Sequence, residues 1–160
     1  MRTSLSAVQV RALRLIIACF LLALTIAAST KAQAPPPAGF TEGICTVESS
    51  TVKGEIQWTI KGSATVSSLP GSSTVTLNFK FKKKANGAAG FVTFNEVDQT
   101  TSSGAGGTKT YSTNPIGLTT PPMPGDQYMF VVTGTYKAGP PPGTTISLGT
   151  KDSNVATPVP

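Results

Sequence analysis

The chain has 160 residues, a formal net charge of +6 and no histidine. Histidine is the commonest general base near neutral pH, so its absence excludes Ser-His and Cys-His catalytic pairs and histidine-containing zinc sites. All three arginines lie in the first 14 residues, and nine lysines face seven acidic residues beyond position 32. The rest of the chain therefore lacks the side chain best suited to phosphate and base recognition, and we expect no nucleic-acid partner.

Residues 1–32 have the layout of a secretory signal peptide. Arg11 and Arg14 lead into the apolar run Leu15–Ala28, and small residues follow it. The run is shorter than the roughly 20 residues of a membrane-spanning helix, so we expect no permanent membrane anchor. Cleavage is expected after Ala32, with a cut after Ser29 as the alternative. The predicted location is secreted, periplasmic or at the cell surface.

The remaining sequence predicts one domain between two short terminal segments. Three consecutive prolines indicate an extended, Pro-rich spacer at residues 33–43. Residues 44–150 are predicted to form the folded domain, and residues 151–160 a C-terminal tail.

Alternating apolar and polar residues predict about eight short strands and no helix. The strand from Glu55 is expected to bend at Gly62, and Asn86-Gly87 is a strong hairpin-turn signal. The strand from Gln127 is apolar on both faces near its start, which is typical of a central strand. In chain order the predicted strands are Ile44–Val47, Glu55–Lys61, Ser63–Ser67, Thr74–Lys83, Gly90–Asn95, Thr108–Thr113, Gln127–Lys137 and Thr144–Leu148.

The same alternation assigns side chains to the core. The strand Thr74–Lys83 places Val75 and Leu77 on its inward face, together with two phenylalanines. Ile56 and Ile60 are also expected to point inward. The aromatic residues predicted to be buried are Trp58, Phe79, Phe81, Tyr128 and Phe130.

These patterns predict an all-β fold, an antiparallel two-sheet sandwich with Greek-key strand order. Asp126-Gln127-Tyr128, followed by Phe130 and Val132, resembles the tyrosine corner of immunoglobulin-like and fibronectin-like domains. Trp58 is similar to their core tryptophan. The resemblance implies the fold alone, because one fold serves many functions.

The densest charge in the sequence is a run of lysines, in which Lys80, Lys82 and Lys84 share the outward face of one predicted strand. They could bind an anionic glycan, an acidic lipid headgroup or a cell-wall polymer. Alternatively, they protect an exposed edge strand from pairing with other sheets. The leading prediction is a non-catalytic structural or interaction module whose partner is a glycan, a cell-wall polymer or another protein. Carbohydrate or anionic-polymer binding through the lysines is the alternative.

A third hypothesis is a small hydrolase that uses Glu96 and Asp98, which lie two residues apart on one strand face. With Asp126, the same pair could instead bind calcium. No cofactor is predicted. After signal cleavage one cysteine, Cys45, would remain, and we expect it to be either a buried small side chain or an intermolecular link.

Overall fold

The computed structural model describes residues 36–138 and 143–158, which form eight β-strands. The predicted signal peptide lies outside the described residues. Within the described ranges, no helix is long and apolar enough to span a bilayer. The strands are β1 (Gly39–Val52), β2 (Glu55–Leu69), β3 (Thr74–Lys84), β4 (Val92–Ser102), β5 (Gly107–Ser112), β6 (Ile116–Gly117), β7 (Gln127–Ala138) and β8 (Thr144–Asp152).

The strands form two antiparallel sheets, which confirms the predicted all-β, two-sheet sandwich. The first sheet has the order β1-β2-β5, with β6 also paired to β2. The second has the order β4-β3-β7-β8, so β7 is a central strand, as predicted. The Asn86-Gly87 turn joins β3 to β4, with Gly87 at a φ of 78° and a hydrogen bond from the Ala88 amide to the Ala85 carbonyl (2.9 Å).

The core lies between the inward faces of the two sheets. Four of the five predicted core aromatics, Phe79, Phe81, Tyr128 and Phe130, are no more than 1% exposed. The Phe130 ring meets the Phe79 ring at 5.2 Å in an edge-to-face arrangement and the Phe81 ring at 5.8 Å. Such contacts add to the free energy gained by burying apolar area, so these rings form the centre of the second sheet's inner face.

Gly62 of the first sheet lies close to these rings. The predicted bend at Gly62 is wrong, because β2 runs without interruption from Glu55 to Leu69. A Cβ atom at position 62 would lie 3.0 Å from Phe81 Cζ and 3.1 Å from two ring carbons of Phe130. The glycine therefore serves close packing between the sheets rather than a change of chain direction.

Two side chains predicted to point into the core do not belong to it. Ile56 is 69% exposed, and Trp58 is only partly buried and stands outside the core cluster. Both lie at the N-terminal end of β2. Alternation placed them on the same face as Ile60, which is fully buried, but burial decreases from Ile60 through Trp58 to Ile56 towards the N-terminal end of the strand.

The folded region extends beyond both predicted boundaries. β1 begins at Gly39, inside the segment predicted as a spacer. β8 continues to Asp152, and residues 153–156, here called the C-terminal clasp, bond to both sheets. The side-chain Oδ1 of Asn154 accepts a hydrogen bond from the Cys45 backbone amide (2.6 Å). The backbone amide of Asn154 donates a hydrogen bond to the Gly43 carbonyl (3.1 Å). On the other sheet, Tyr128 and Ala156 exchange two backbone hydrogen bonds of 2.9 and 2.8 Å.

Candidate functional site

The predicted lysine face lies on a central strand. β3 pairs with β4 on one side and with β7 on the other. The edge-protection hypothesis for Lys80, Lys82 and Lys84 is therefore wrong, because an inner strand has no free edge to protect.

Acidic neighbours reduce the charge of this lysine face. Lys80 Nζ lies 3.5 Å from Glu96 Oε1, and both side chains are about half exposed. Such a pair contributes little to stability, but it offsets the charge of Lys80. Among the described residues, Lys82 and Lys84 form no ion pair, and both are partly buried.

The two carboxylates of the hydrolase hypothesis lie on the open outer face of the second sheet. Asn78 Nδ2 donates hydrogen bonds to Glu96 Oε1 (2.7 Å) and to Asp98 Oδ1 (2.8 Å). Asp126, the third member of the calcium hypothesis, is buried and bound to a lysine instead. Within the described ranges, no three metal-ligating side chains are grouped.

Lys83, the fourth lysine of the run, points to the inward face and forms an ion pair with Asp126. Its Nζ lies 2.6 Å from Asp126 Oδ2, and the Asp126 side chain is only 2% exposed. The carboxylate also accepts hydrogen bonds from the amides of Met123 (2.9 Å) and Asn86 (3.1 Å). Asp126 therefore ties the β3–β4 turn to the segment that precedes β7.

The pair holds both groups in their charged forms. The hydrogen bond from Lys83 lowers the pKa of Asp126, and the two backbone amides lower it further against the opposing effect of burial. The hydrogen bond to Asp126 raises the pKa of Lys83. Because the charge of Lys83 is compensated by Asp126, this lysine is a poor site for an anionic ligand.

A β-bulge next to this ion pair turns an aromatic ring towards Tyr128. Phe81 lies opposite Asn95 and Lys82 opposite Thr93, so Phe94 is the extra residue of β4. The Phe94 ring is 42% exposed and meets the Tyr128 ring edge-to-face at 6.1 Å. A cavity of about 260 Å³ opens beside it, lined by Lys83, Phe94, Asn95, Gly117, Leu118, Thr119, Thr120 and Tyr128.

A two-stranded β-ribbon extends from the same end of the sandwich. Every residue from Glu48 to Gln57 is exposed, so neither face of the ribbon is covered by the rest of the described structure. Lys53 and Gly54 form its tip with φ values of 53° and 86°, the positive pair expected of a type I′ turn. The Leu118 amide donates to the Trp58 carbonyl (2.8 Å), which places the base of the ribbon beside the cavity.

Exposed apolar side chains gather around this end, which we call the apolar end. Val52 and Ile56 lie on the ribbon, and Phe94 borders the cavity. Val92 lies two residues before Phe94, the Met123 amide bonds to Asp126, and Val155 adjoins Ala156, which bonds to Tyr128. Six of the eight large hydrophobic side chains exposed among the described residues belong to it: Val52, Ile56, Val92, Phe94, Met123 and Val155.

Cys45 is a buried side chain, one of the two predicted alternatives. It is 1% exposed, and burial raises the pKa of its thiol to about 12. A thiol with that pKa is almost entirely protonated at neutral pH and is a poor nucleophile.

Comparisons with known proteins leave the chain without a family. No protein-family model and no curated protein matches it. Among solved structures, the X-ray structure of Northeast Structural Genomics Consortium target SoR45 is similar, at 14% identity and a TM-score of 0.41, over 79% of this chain and 91% of that chain. A likeness at that level identifies no activity, and the fold described above stands on the strands and their pairing.

Proposed function

We propose that this chain is an exported, non-catalytic β-sandwich module that binds an extended segment of another protein at its apolar end. The observation that carries the proposal is the exposed ribbon from Glu48 to Gln57, which combines exposed apolar side chains with strand edges that no other described strand pairs with. Soluble proteins rarely leave such features uncovered unless they bind a partner.

The free edge of β1 has the hydrogen-bonding pattern of a strand acceptor. In a hairpin with a two-residue turn, Val52 and Glu55 face each other, so the backbone groups of alternate residues point away from β2. Asn154 of the C-terminal clasp already bonds the outward groups of Gly43 and Cys45. The next outward groups along this edge are those of Val47, Ser49 and Thr51, and an added strand would bond to them.

The cavity beside Phe94 supplies an anchor point for the same partner. Its volume of about 260 Å³ suits one apolar side chain rather than a large ligand. Phe94 and Leu118 would contact that side chain, and the exposed Thr119 and Thr120 would form a polar rim. Binding energy at protein interfaces is concentrated in such anchored side chains.

A panel of purified variants tests this proposal against a phage-displayed library of random peptides. Peptides selected on the wild-type domain should lose most of their affinity for Ile56→Lys and for Phe94→Lys. Ile146→Lys is the matched control, because Ile146 is as exposed as Phe94 (42% each) but lies on β8. In an NMR titration, the amide signals of Val47, Ser49 and Thr51 should shift most. Peptides that bind both variants as tightly as the wild type, or a library that yields none, would contradict the proposal.

Export is supported by the charge and apolar pattern of residues 1–32. Material collected outside the cytoplasm should begin at Gln33, or at Thr30 if the alternative cut is used. Intact-mass analysis that finds residues 1–28 still attached would contradict this part of the proposal.

The strand order favours the immunoglobulin-like and fibronectin-like assignment. The chain crosses between the sheets after β2, after β4 and after β6, so neighbours in each sheet include strands far apart in sequence, as in a Greek key. Tyr128 lies buried near the start of β7, in agreement with the tyrosine-corner resemblance. Trp58, however, does not fill the core as that resemblance implies.

A second candidate function is anionic-polymer binding, favoured because Lys82 and Lys84 form no ion pair with any residue that the structure describes. Heparin serves as the probe. Binding should weaken steeply as salt rises, because exposed charges are screened over about 8 Å at physiological ionic strength. Replacing Lys80, Lys82 and Lys84 by Gln should abolish it, whereas Lys61→Gln on the first sheet should not. Equal heparin binding by both variants would eliminate this candidate.

A further inference from the structure

The outer face of the second sheet carries an ordered array of hydroxyl groups. Three consecutive rows across its four strands comprise twelve outward positions, and ten of them hold a Thr, Ser or Asn side chain. The two exceptions, Asp98 and Lys137, are the only charged members of these rows. We call this surface the hydroxyl face; its ten polar members are Thr74, Thr76, Asn78, Thr100, Ser102, Thr133, Thr135, Thr145, Ser147 and Thr150.

The alternation of buried and outward residues fixes these side chains on the outer surface. Val75 and Leu77 of β3 and Val132 of β7 are buried, so the residues between them point to solvent. A second β-bulge lies between β7 and β8, where Gly134 pairs with Gly149 and Thr135 with Ser147. The bulge bends β8 and leaves a depression in the face.

The depression is lined almost wholly by groups that can both donate and accept hydrogen bonds. Its volume is about 330 Å³, within the range of small-ligand sites. It contains no charged and no aromatic side chain; the lining residues are Thr76, Asn78, Thr133, Gly134, Thr135, Ser147, Gly149 and Thr150.

Asn78 adds an oriented amide to this depression. Its Nδ2 is committed to Glu96 and Asp98 on the β4 side, so Oδ1 lies on the side of β7. That oxygen is shielded from solvent and has no hydrogen-bond partner among the described residues. An unsatisfied acceptor of this kind is unusual in a native fold and points to a bound water at the floor of the depression.

We propose that the depression in the hydroxyl face binds a neutral oligosaccharide. A sugar presents many hydroxyl groups, each a donor and an acceptor, and the depression presents six side chains of matching capacity. The methyl groups of the threonines would contact the C–H faces of the sugar rings. Glu96 is paired with Lys80, and the two charged members of the rows, Asp98 and Lys137, are opposite in sign, so the face offers no net charge that would favour an anionic glycan. The site is separate from the apolar end and does not depend on peptide binding there.

The probes are three neutral hexasaccharides of different linkage: cellohexaose, chitohexaose and mannohexaose. At least one should shift the backbone amide signals of Thr133 and Thr135 in an NMR titration of the folded domain. The double substitution Thr133→Val with Thr135→Val keeps the β-branched shape and removes two hydroxyl groups. It should weaken binding about tenfold and leave the selected peptides' affinity for the apolar end unchanged.

Thr110→Val is the matched control. Thr110 is an exposed threonine on the first sheet whose hydroxyl pairs with that of Thr65 at 3.0 Å, as Thr76 pairs with Thr100 at 3.3 Å on the hydroxyl face. This control should bind sugar like the wild type. Three outcomes would overturn the proposal: no shift with any of the three hexasaccharides at millimolar concentration, equal binding by the double variant, or shifts confined to residues outside the depression.

Discussion

Adding one methyl group at Gly62 tests the packing of the two sheets directly. In Gly62→Ala the new Cβ would lie 3.0 Å from Phe81 Cζ and 3.1 Å from Phe130 Cδ1 and Cε1. Contacts this short force the neighbours to move by a few tenths of an ångström. Neither ring can yield freely, because both are fully buried and Phe130 is also packed against Phe79.

Overpacking of a close-packed core costs about 1–3 kcal/mol. We expect the free energy of unfolding to fall by about 2 kcal/mol, a large part of the 5–15 kcal/mol typical of a folded domain. With an m-value of about 2 kcal/mol per molar urea, the unfolding midpoint should fall by about 1 M. Urea titration followed by tryptophan fluorescence of Trp58 measures this shift.

Gly90→Ala is the control, because a Cβ at that exposed loop position meets nothing within 4 Å. Phe130→Leu in the Gly62→Ala background should recover stability, since the smaller side chain makes room for the methyl group. The double-mutant cycle should give a favourable coupling energy larger than about 0.5 kcal/mol. A midpoint for Gly62→Ala equal to that of Gly90→Ala would refute the close approach of the two sheets at this point.

Three further perturbations follow from the described contacts. Because the pKa of Asp126 is lowered in the folded state, its stabilising contribution is present above its unfolded value of about 3.8 and is lost as pH falls through the folded pKa. The difference in unfolding free energy between the wild type and Asp126→Asn should thus be constant from about pH 5 to 9 and shrink below about pH 4; a difference that grows in acid would contradict this. Cys45 should react with a thiol reagent only at the rate of unfolding, so rapid labelling of the native domain would show that it is accessible. Asn154→Ala should cost about 1–3 kcal/mol in thermal or urea unfolding, because it leaves the Cys45 amide unpaired, and no loss would mean that water replaces the clasp.

The alternation of apolar residues was sufficient to predict the centre of the sandwich. On β3 it assigned Val75, Leu77, Phe79 and Phe81 to the core, and all four are buried. On β7 the apolar residues of both faces indicated a central strand, which the pairing confirms. These predictions succeeded because burial on one face and exposure on the other impose a period of two on the sequence.

The alternation of apolar residues failed to predict burial where part of a strand is not packed against the opposite sheet. Alternation gives the relative orientation of Ile56 and Ile60 but not whether an opposing sheet reaches each of them. The clasp escaped prediction because Asn154 acts through its side-chain amide, which leaves no periodic pattern. The apolar end escaped it as well, since Val52, Phe94 and Met123 are far apart in sequence and only the fold brings them to one end of the sandwich.

Only part of the hydroxyl face could be predicted from the sequence. The threonines of β3 alternate visibly in the sequence, but the rows depend on the register with β4, β7 and β8. Residue composition contains no information on register, and a shift of one residue would turn every side chain to the opposite face. The bulge at Gly134 that creates the depression is a property of that register.

The C-terminal clasp has a consequence for the order in which the fold can be completed. Residues 153–156 follow every strand in the chain, yet they bond both to β1, the first strand, and to β7. A chain that emerges amino end first from a ribosome must therefore present all eight strands and the clasp before these edges can close. Until then the outward backbone groups of Gly43 and Cys45 lack the partners that Asn154 supplies, so the amino-terminal edge of the first sheet is completed by the last described residues to be made.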